Sequence, residues 1–191
     1  MRRFVQIGAL LIAVLLAASA WATPITFTDV TKFYAHGADP SEDLVYYRGE
    51  FVNKLEGPCD VVKWTHHFDF DPPASEVLSG KLTLFLRDDY DPSPLYCKLF
   101  TWEFGFFVAE DGTWDFGEID TGNYSYGINA SFLKDGLFTV KLVSVWGDFF
   151  IDRSELKVTY NPVPEPATML LFGIGLCGLA FVGRKRLVKE R

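Results

Sequence analysis

The stretch Lys81-Leu82-Thr83-Leu84-Phe85-Leu86-Arg87 turns Leu82, Leu84 and Leu86 to one side and Lys81, Thr83 and Arg87 to the other. Successive side chains of a β-strand point to opposite faces, so this period of two describes a strand that buries one face and wets the other. The pattern recurs along the chain. Leu156, Val158 and Tyr160 oppose Glu155, Lys157 and Thr159; Phe138, Val140 and Leu142 oppose Thr139 and Lys141; Trp102, Phe104, Phe106 and Val108 oppose Thr101, Glu103 and Gly105. A fifth row runs Val62, Trp64, His66, Phe68, Phe70, and a sixth Val45, Tyr47, Phe51. Turn chemistry separates the rows: Asp71-Pro72-Pro73, Ser79-Gly80, Asp91-Pro92-Ser93-Pro94, Thr121-Gly122-Asn123, Asp135-Gly136 and Gly147-Asp148. Asp111-Gly112 is placed for a tight hairpin between residues 106–109 and 113–116. No part of the body keeps a helical apolar period, so the expectation is an all-β fold, an antiparallel, jelly-roll-like β-sandwich of roughly eight to ten short strands.

The chain has 191 residues and divides into an end segment 1–22, a body 23–161 and a tail 162–191. Of 18 Lys and Arg, seven lie outside Thr23 to Val163, and of 25 Asp and Glu, two do; that stretch therefore holds 11 cations against 23 anions, a net charge of −12. So acidic a surface repels phosphate backbones and excludes nucleic acid as a partner. Met1 to Ala22 reads as a signal helix: Arg2 and Arg3, an apolar run Ile7 to Ala18, then Ala20-Trp21-Ala22 as the cleavage site. The body is thus expected outside the cytoplasm.

At the other end Val163-Pro164-Glu165-Pro166-Ala167-Thr168 precedes an apolar run, Met169 to Val182, that opens a hydrophobic helix over 169–183 and a basic tail over 184–191 headed by Arg184-Lys185-Arg186. The prolines lack backbone donors and hold the strip extended. The apolar run rises only about 21 Å as a helix, short of the ~30 Å hydrocarbon layer, so it anchors weakly. The cations behind it stay cytoplasmic by the positive-inside rule. This ordered triple of motif, short helix and basic end resembles the PEP-CTERM sorting signal of Gram-negative bacteria over the last 30 or so residues. The resemblance implies an exosortase as partner, an inner-membrane intermediate with its body in the periplasm, and transfer to the cell surface or an exopolysaccharide-rich, biofilm-type matrix. Val163, Pro164, Glu165, Pro166 and Thr168 are then the sorting motif, and the expected role is a non-enzymatic surface or matrix protein. The segment Leu78 to Tyr160 is also similar to secreted jelly-roll adhesion and carbohydrate-binding modules, in its Leu-rich early strand and its Gly147-Asp148-Phe149-Phe150 turn. That likeness implies a carbohydrate-binding module as the alternative; a small jelly-roll glycosidase, read from two carboxylates below, is the next.

The remaining chemistry is sparse. Cys59 and Cys97 are the two cysteines of the body, and an oxidising exterior lets them form a disulfide worth about 3–4 kcal/mol; two free, buried thiols are the alternative. Asp88, Asp89 and Asp91 crowd hard oxygen ligands before Pro92 and are candidates for a structural Ca²⁺, against a solvated acidic turn; no other cofactor is expected. His66 and His67 face opposite ways on a strand, which makes His66 a hydrogen-bonded core histidine and leaves His67 with Asp69 as a two-ligand edge. Glu103 and Glu118 are the carboxylates a glycosidase would need about 5 Å apart, against a pair of solvent-facing strand residues. Tyr46, Tyr90, Phe107 and Tyr124 lie off the apolar rows and are candidates for a sugar-binding platform.

Overall fold

A computed structural model of the chain describes residues 23–40, 43–88, 103–163 and 174–175. The compact body runs from Pro24 to Pro162. Its strands are β1 (Ile25–Tyr34), β2 (Gly37–Asp39), β3 (Val45–Tyr47), β4 (Lys54–Glu56), β5 (Val61–His67), β6 (Ala74–Asp88), β7 (Phe104–Ala109), β8 (Trp114–Glu118), β9 (Gly122–Ile128), β10 (Leu137–Trp146) and β11 (Asp148–Pro162), with one 3-10 turn at Ala130–Leu133. One sheet has the order β2-β1-β11-β6-β9, with β4 added at the start of β11; the other has the order β3-β5-β10-β7-β8. All pairings described are antiparallel. Without the three-residue strands, one sheet holds the first, eighth, third and sixth long strands and the other the second, seventh, fourth and fifth. That order is a jelly roll, so the expected fold class of the body is observed.

The leucine stretch that opens the argument lies in β6, paired on one side with β11 and on the other with β9. Leu82, Leu84 and Leu86 are buried against Phe138, Val140 and Leu142 of β10 and Val62 and Trp64 of β5, which form the facing layer. Burial of these rows, at about 25 cal/mol per Å² of apolar surface, holds the two sheets together. The long strand β11 contains a bulge between Ile151 and Arg153. The extra residue, Asp152, re-phases the strand, so that Ile151 and Ser154 both point inward. Arg153 turns outward, its guanidinium 3.7 Å from the centre of the Phe85 ring and its Nε donating to Glu155 at 2.8 Å.

Two rows differ from expectation. In β7 the inward residues are Gly105, Phe107 and Ala109, while Phe104, Phe106 and Val108 form the outer face. The segment is apolar on both faces, so periodicity alone leaves its phase open. Packing decides it: at Gly105 the opposing Ile119 and Phe149 approach so closely that an added Cβ would lie 2.9 Å from Ile119 and 3.3 Å from Phe149. A Phe in that place has no room. In β3, Val45 and Tyr47 are exposed, because this short strand is the outer edge of its sheet. The Asp111-Gly112 hairpin forms as expected: Gly112 has φ +83°, Ala109 N–H donates to Thr113 O at 2.8 Å, and Thr113 N–H to Asp111 Oδ1 at 3.0 Å.

Candidate functional site

The body ends where the sorting strip begins. Pro162, the last residue of β11, is paired with Ala74, and the Ser75 hydroxyl donates to the carbonyls of Asn161 at 2.9 Å and Pro162 at 3.2 Å. Val163 follows with 46% of its surface exposed. Pro164, Glu165, Pro166, Thr168, the run from Met169 and the tail Arg184, Lys185 and Arg186 lie outside the described residues apart from Ile174 and Gly175, as does the signal segment 1–22. Among the described residues no helix is long and apolar enough to cross a membrane.

Other expected sites are partly described. Cys59 is exposed, with φ +74°, which corrects the alternative of two buried thiols; Cys97 lies outside the described residues. Asp88 is exposed at the end of β6, its N–H donating to Thr121 Oγ1 at 3.0 Å, whereas Asp89 and Asp91 are outside. Among the described residues no three His, Cys, Asp or Glu are grouped to hold a metal ion. The His67 ring is paired with Asp43, Nε2 to Oδ2 at 3.0 Å. Glu103 is 5% exposed, which corrects the solvent-facing expectation, while Glu118 is exposed. Because Phe104 opposes Glu118 and Ile119 N–H donates to Glu103 O, strand parity sets the two side chains on opposite faces of their sheet. They cannot flank one sugar ring.

The densest polar constellation lies between the sheets. His66 is fully buried, with Nδ1 2.6 Å from Asp29 Oδ2 and Nε2 2.9 Å from Ser154 Oγ; Trp64 Nε1–H also donates to Nε2, at 3.3 Å. A ring nitrogen that accepts from an indole carries no proton, so the network assigns the proton to Nδ1, which donates to Asp29. Asp29 comes from β1, His66 from β5 and Ser154 from β11. The connectivity is that of an Asp-His-Ser relay, in which a histidine withdraws the hydroxyl proton of a serine nucleophile. Ser154, however, is fully buried in the sandwich, out of reach of a solvent-borne substrate. Directly across from it in register, Thr31 Oγ1 is buried and finds no hydrogen-bond partner among the described residues. The expected core histidine is therefore present, with partners that spacing did not indicate.

Aromatic residues are distributed otherwise than expected. Phe107 is buried and stacks on Tyr126 at 4.5 Å, and Tyr124 also faces the interior; Tyr46 is exposed on β3, and Tyr90 lies outside the described residues. The outward band belongs instead to β7 and β8. Phe104 stacks on Phe116 at 5.8 Å and 14°, and Phe106 tilts toward Trp114 at 6.4 Å. Behind the band a hollow of about 30 Å³ between β8 and β9 has room for about one water. A wider open groove of about 620 Å³ beside the start of β6 is lined by Phe70, Pro73, Glu76, Ser131 and Lys134, among others.

In the β8–β9 mouth the Tyr126 hydroxyl donates to Asp115 Oδ2 at 2.9 Å. Burial, with the bond to Asp115 and that carboxylate's charge added, pushes the phenol well above the ordinary tyrosine range; Tyr124 is raised too, chiefly by burial. A raised folded-state pKa contributes stability that is complete below the unfolded value of about 10 and is lost as pH climbs through the folded one. In a phenolate absorbance titration, at least one tyrosine stays protonated until the alkaline end, and Asp115→Asn brings its transition down. Uniform titration of all 8 tyrosines in the ordinary range would contradict this.

No curated protein matches the chain. Among solved structures, a family two carbohydrate esterase from Cellvibrio japonicus is similar with a TM-score of 0.40 and 10% identity, over 75% of this chain and 37% of that one. The GH26-CBM35 beta-(1,4)-mannanase of Podospora anserina is similar with a TM-score of 0.35 and 17% identity, over 75% of this chain and 28% of that one. The chain thus spans 37% of the length of the first and 28% of the second, and likenesses this distant carry nothing about ligand or activity. The informative match is to a family model of the PEP-CTERM protein-sorting motif, over residues 162–186. This chain carries a PEP-CTERM sorting signal, the mark of an exported protein that an exosortase processes.

Proposed function

We propose that the body is a non-enzymatic protein of the cell surface or extracellular matrix, brought there through its PEP-CTERM signal and held in association with exopolysaccharide. The observation that carries this reading is the sorting motif at residues 162–186. Export begins at the signal helix, with cleavage after Ala22. The run Met169 to Val182, too short to span comfortably, holds the chain at the inner membrane while Arg184, Lys185 and Arg186 stay cytoplasmic. The exosortase then cuts near Pro164-Glu165-Pro166. A non-enzymatic body is supported by the separation of Glu103 from Glu118 and by the burial of Ser154. A carbohydrate-binding role is the second reading, favoured by the outward aromatic band on β7 and β8.

Cell fractionation with intact-mass analysis tests the proposal. The expected result is a surface or matrix fraction whose mass lacks residues 1–22 and the tail beyond the motif, and which moves to the medium in a strain that makes no exopolysaccharide. A full-mass chain confined to the inner membrane would overturn it.

A further inference from the structure

Trp114 and Phe116 stand on the outer face of β8, with Phe106 beside them on β7. Phe106 opposes Phe116, and Val108 opposes Trp114, so the rings interleave diagonally into one band along the hairpin. Trp114 is 66% exposed and Phe116 52%. Contiguous apolar surface left open in a body with a well-filled core marks a place of contact.

Charge and backbone chemistry select the occupant. A second chain adding to the β8 edge would need its outward amides, yet Phe116 N–H is already taken by Asp115 Oδ1 at 2.9 Å, which blunts the edge. A second copy lying face to face brings another net charge of −12 against the first, and a polyanion meets the same repulsion. Glu118 stands on the same outer face beside Phe116 and Phe104, an exposed acceptor next to the rings. A shallow band of ring faces beside a hydrogen-bond acceptor suits a ligand that is flat and apolar on its C–H faces, rich in hydroxyl donors at its edges, and uncharged. We infer that the outer face of β7 and β8 binds an uncharged polysaccharide, its pyranose rings stacked on Trp114 and Phe116 and a sugar hydroxyl donating to Glu118. This deepens the reading of a body held among exopolysaccharide, and rests on it for its biological setting.

The test uses the full-length chain in a polyoxyethylene detergent, titrated by calorimetry with hydroxyethyl cellulose, galactomannan, laminarin and dextran, and with alginate as the polyanion. The expected result is saturable binding to at least one uncharged polymer and none to alginate. Trp114→Ala weakens it about tenfold, and Trp114→Ala with Phe116→Ala abolishes it, while the thermal melt is unchanged. Tyr46→Ala, on β3 at the far edge of the sheet, leaves binding intact. No saturable binding to any of these uncharged polymers, binding that survives the double substitution, or an oligomer that the double substitution dissolves would each overturn the inference. Delivery is measured separately in cells: correct processing without binding overturns this site alone, and binding by a chain that is never processed overturns only the delivery.

Discussion

With alanine in place of Pro164, Glu165 and Pro166, the chain accumulates at the inner membrane at precursor mass, and the processed form falls at least about tenfold. The expectation follows from the physical character of the strip. Proline has a fixed φ and no amide hydrogen, so two prolines flanking one glutamate favour an extended strip and resist joining the helix that the sequence predicts from Met169. Three alanines, with Ala167 beside them, are strong helix formers and carry no charge. The apolar helix can then run from position 164 to Val182, roughly 19 residues and about 28 Å, close to the thickness of the hydrocarbon layer. The substitution therefore removes the accessible strip and converts a weak anchor into a stable one. Glu165→Gln separates the two effects, since it removes the charge and leaves both prolines. If the mature mass and surface fraction were unchanged in the triple variant, sorting by this strip would be excluded.

The delivery signal and the fold class were legible because each rests on local patterning. Over residues 81–84 of β6, 138–142 of β10 and 155–160 of β11 one face is apolar and the other charged or hydroxylated, so alternation assigns the inward residues without knowledge of the partner strand. The phase of β7 was not legible, because Phe104 to Ala109 offers apolar residues to both sides and the decision rests on Ile119 and Phe149, which come from elsewhere in the chain. Half of the outward aromatic band was missed for the same reason: alternation with Glu103 and Gly105 reads Phe104 and Phe106 as an inward row. Nor could alternation locate the partners of His66, which lie 37 and 88 residues away in sequence. A signal did exist. Ser154 interrupts an otherwise apolar inward row of Phe149, Ile151, Leu156, Val158 and Tyr160, and Asp29 interrupts Ile25, Phe27 and Phe33. Polar residues at core positions of two neighbouring strands, with a histidine on a strand that also faces the core, indicate a buried network rather than separate faults in the pattern.

The largest loss of stability is expected from His66→Ala, at about 3–5 kcal/mol, a large fraction of the 5–15 kcal/mol typical of a whole domain. The imidazole satisfies three groups at once: the Asp29 carboxylate at 2.6 Å, the Ser154 hydroxyl at 2.9 Å and the Trp64 indole at 3.3 Å. Alanine leaves a cavity between the sheets, and strips partners from a buried hydroxyl, a buried N–H and a carboxylate whose side chain is only 20% exposed. His66→Phe refills most of the volume but leaves the same groups unpaired, so its cost exceeds that of a simple change of shape. Ser154→Ala removes one hydroxyl and its single bond, and is expected to cost only about 1 kcal/mol. Asp29→Ala and His66→Ala together should cost well below the sum of the two, because once His66 is gone the change at Asp29 removes a carboxylate already left without its partner. Urea unfolding of the five variants, the double one included, measures all of this. A loss below about 1 kcal/mol for His66→Ala, or strict additivity with Asp29→Ala, would show that the relay geometry carries no structural weight and would reopen the question of why this core holds an aspartate, a histidine and a serine in line.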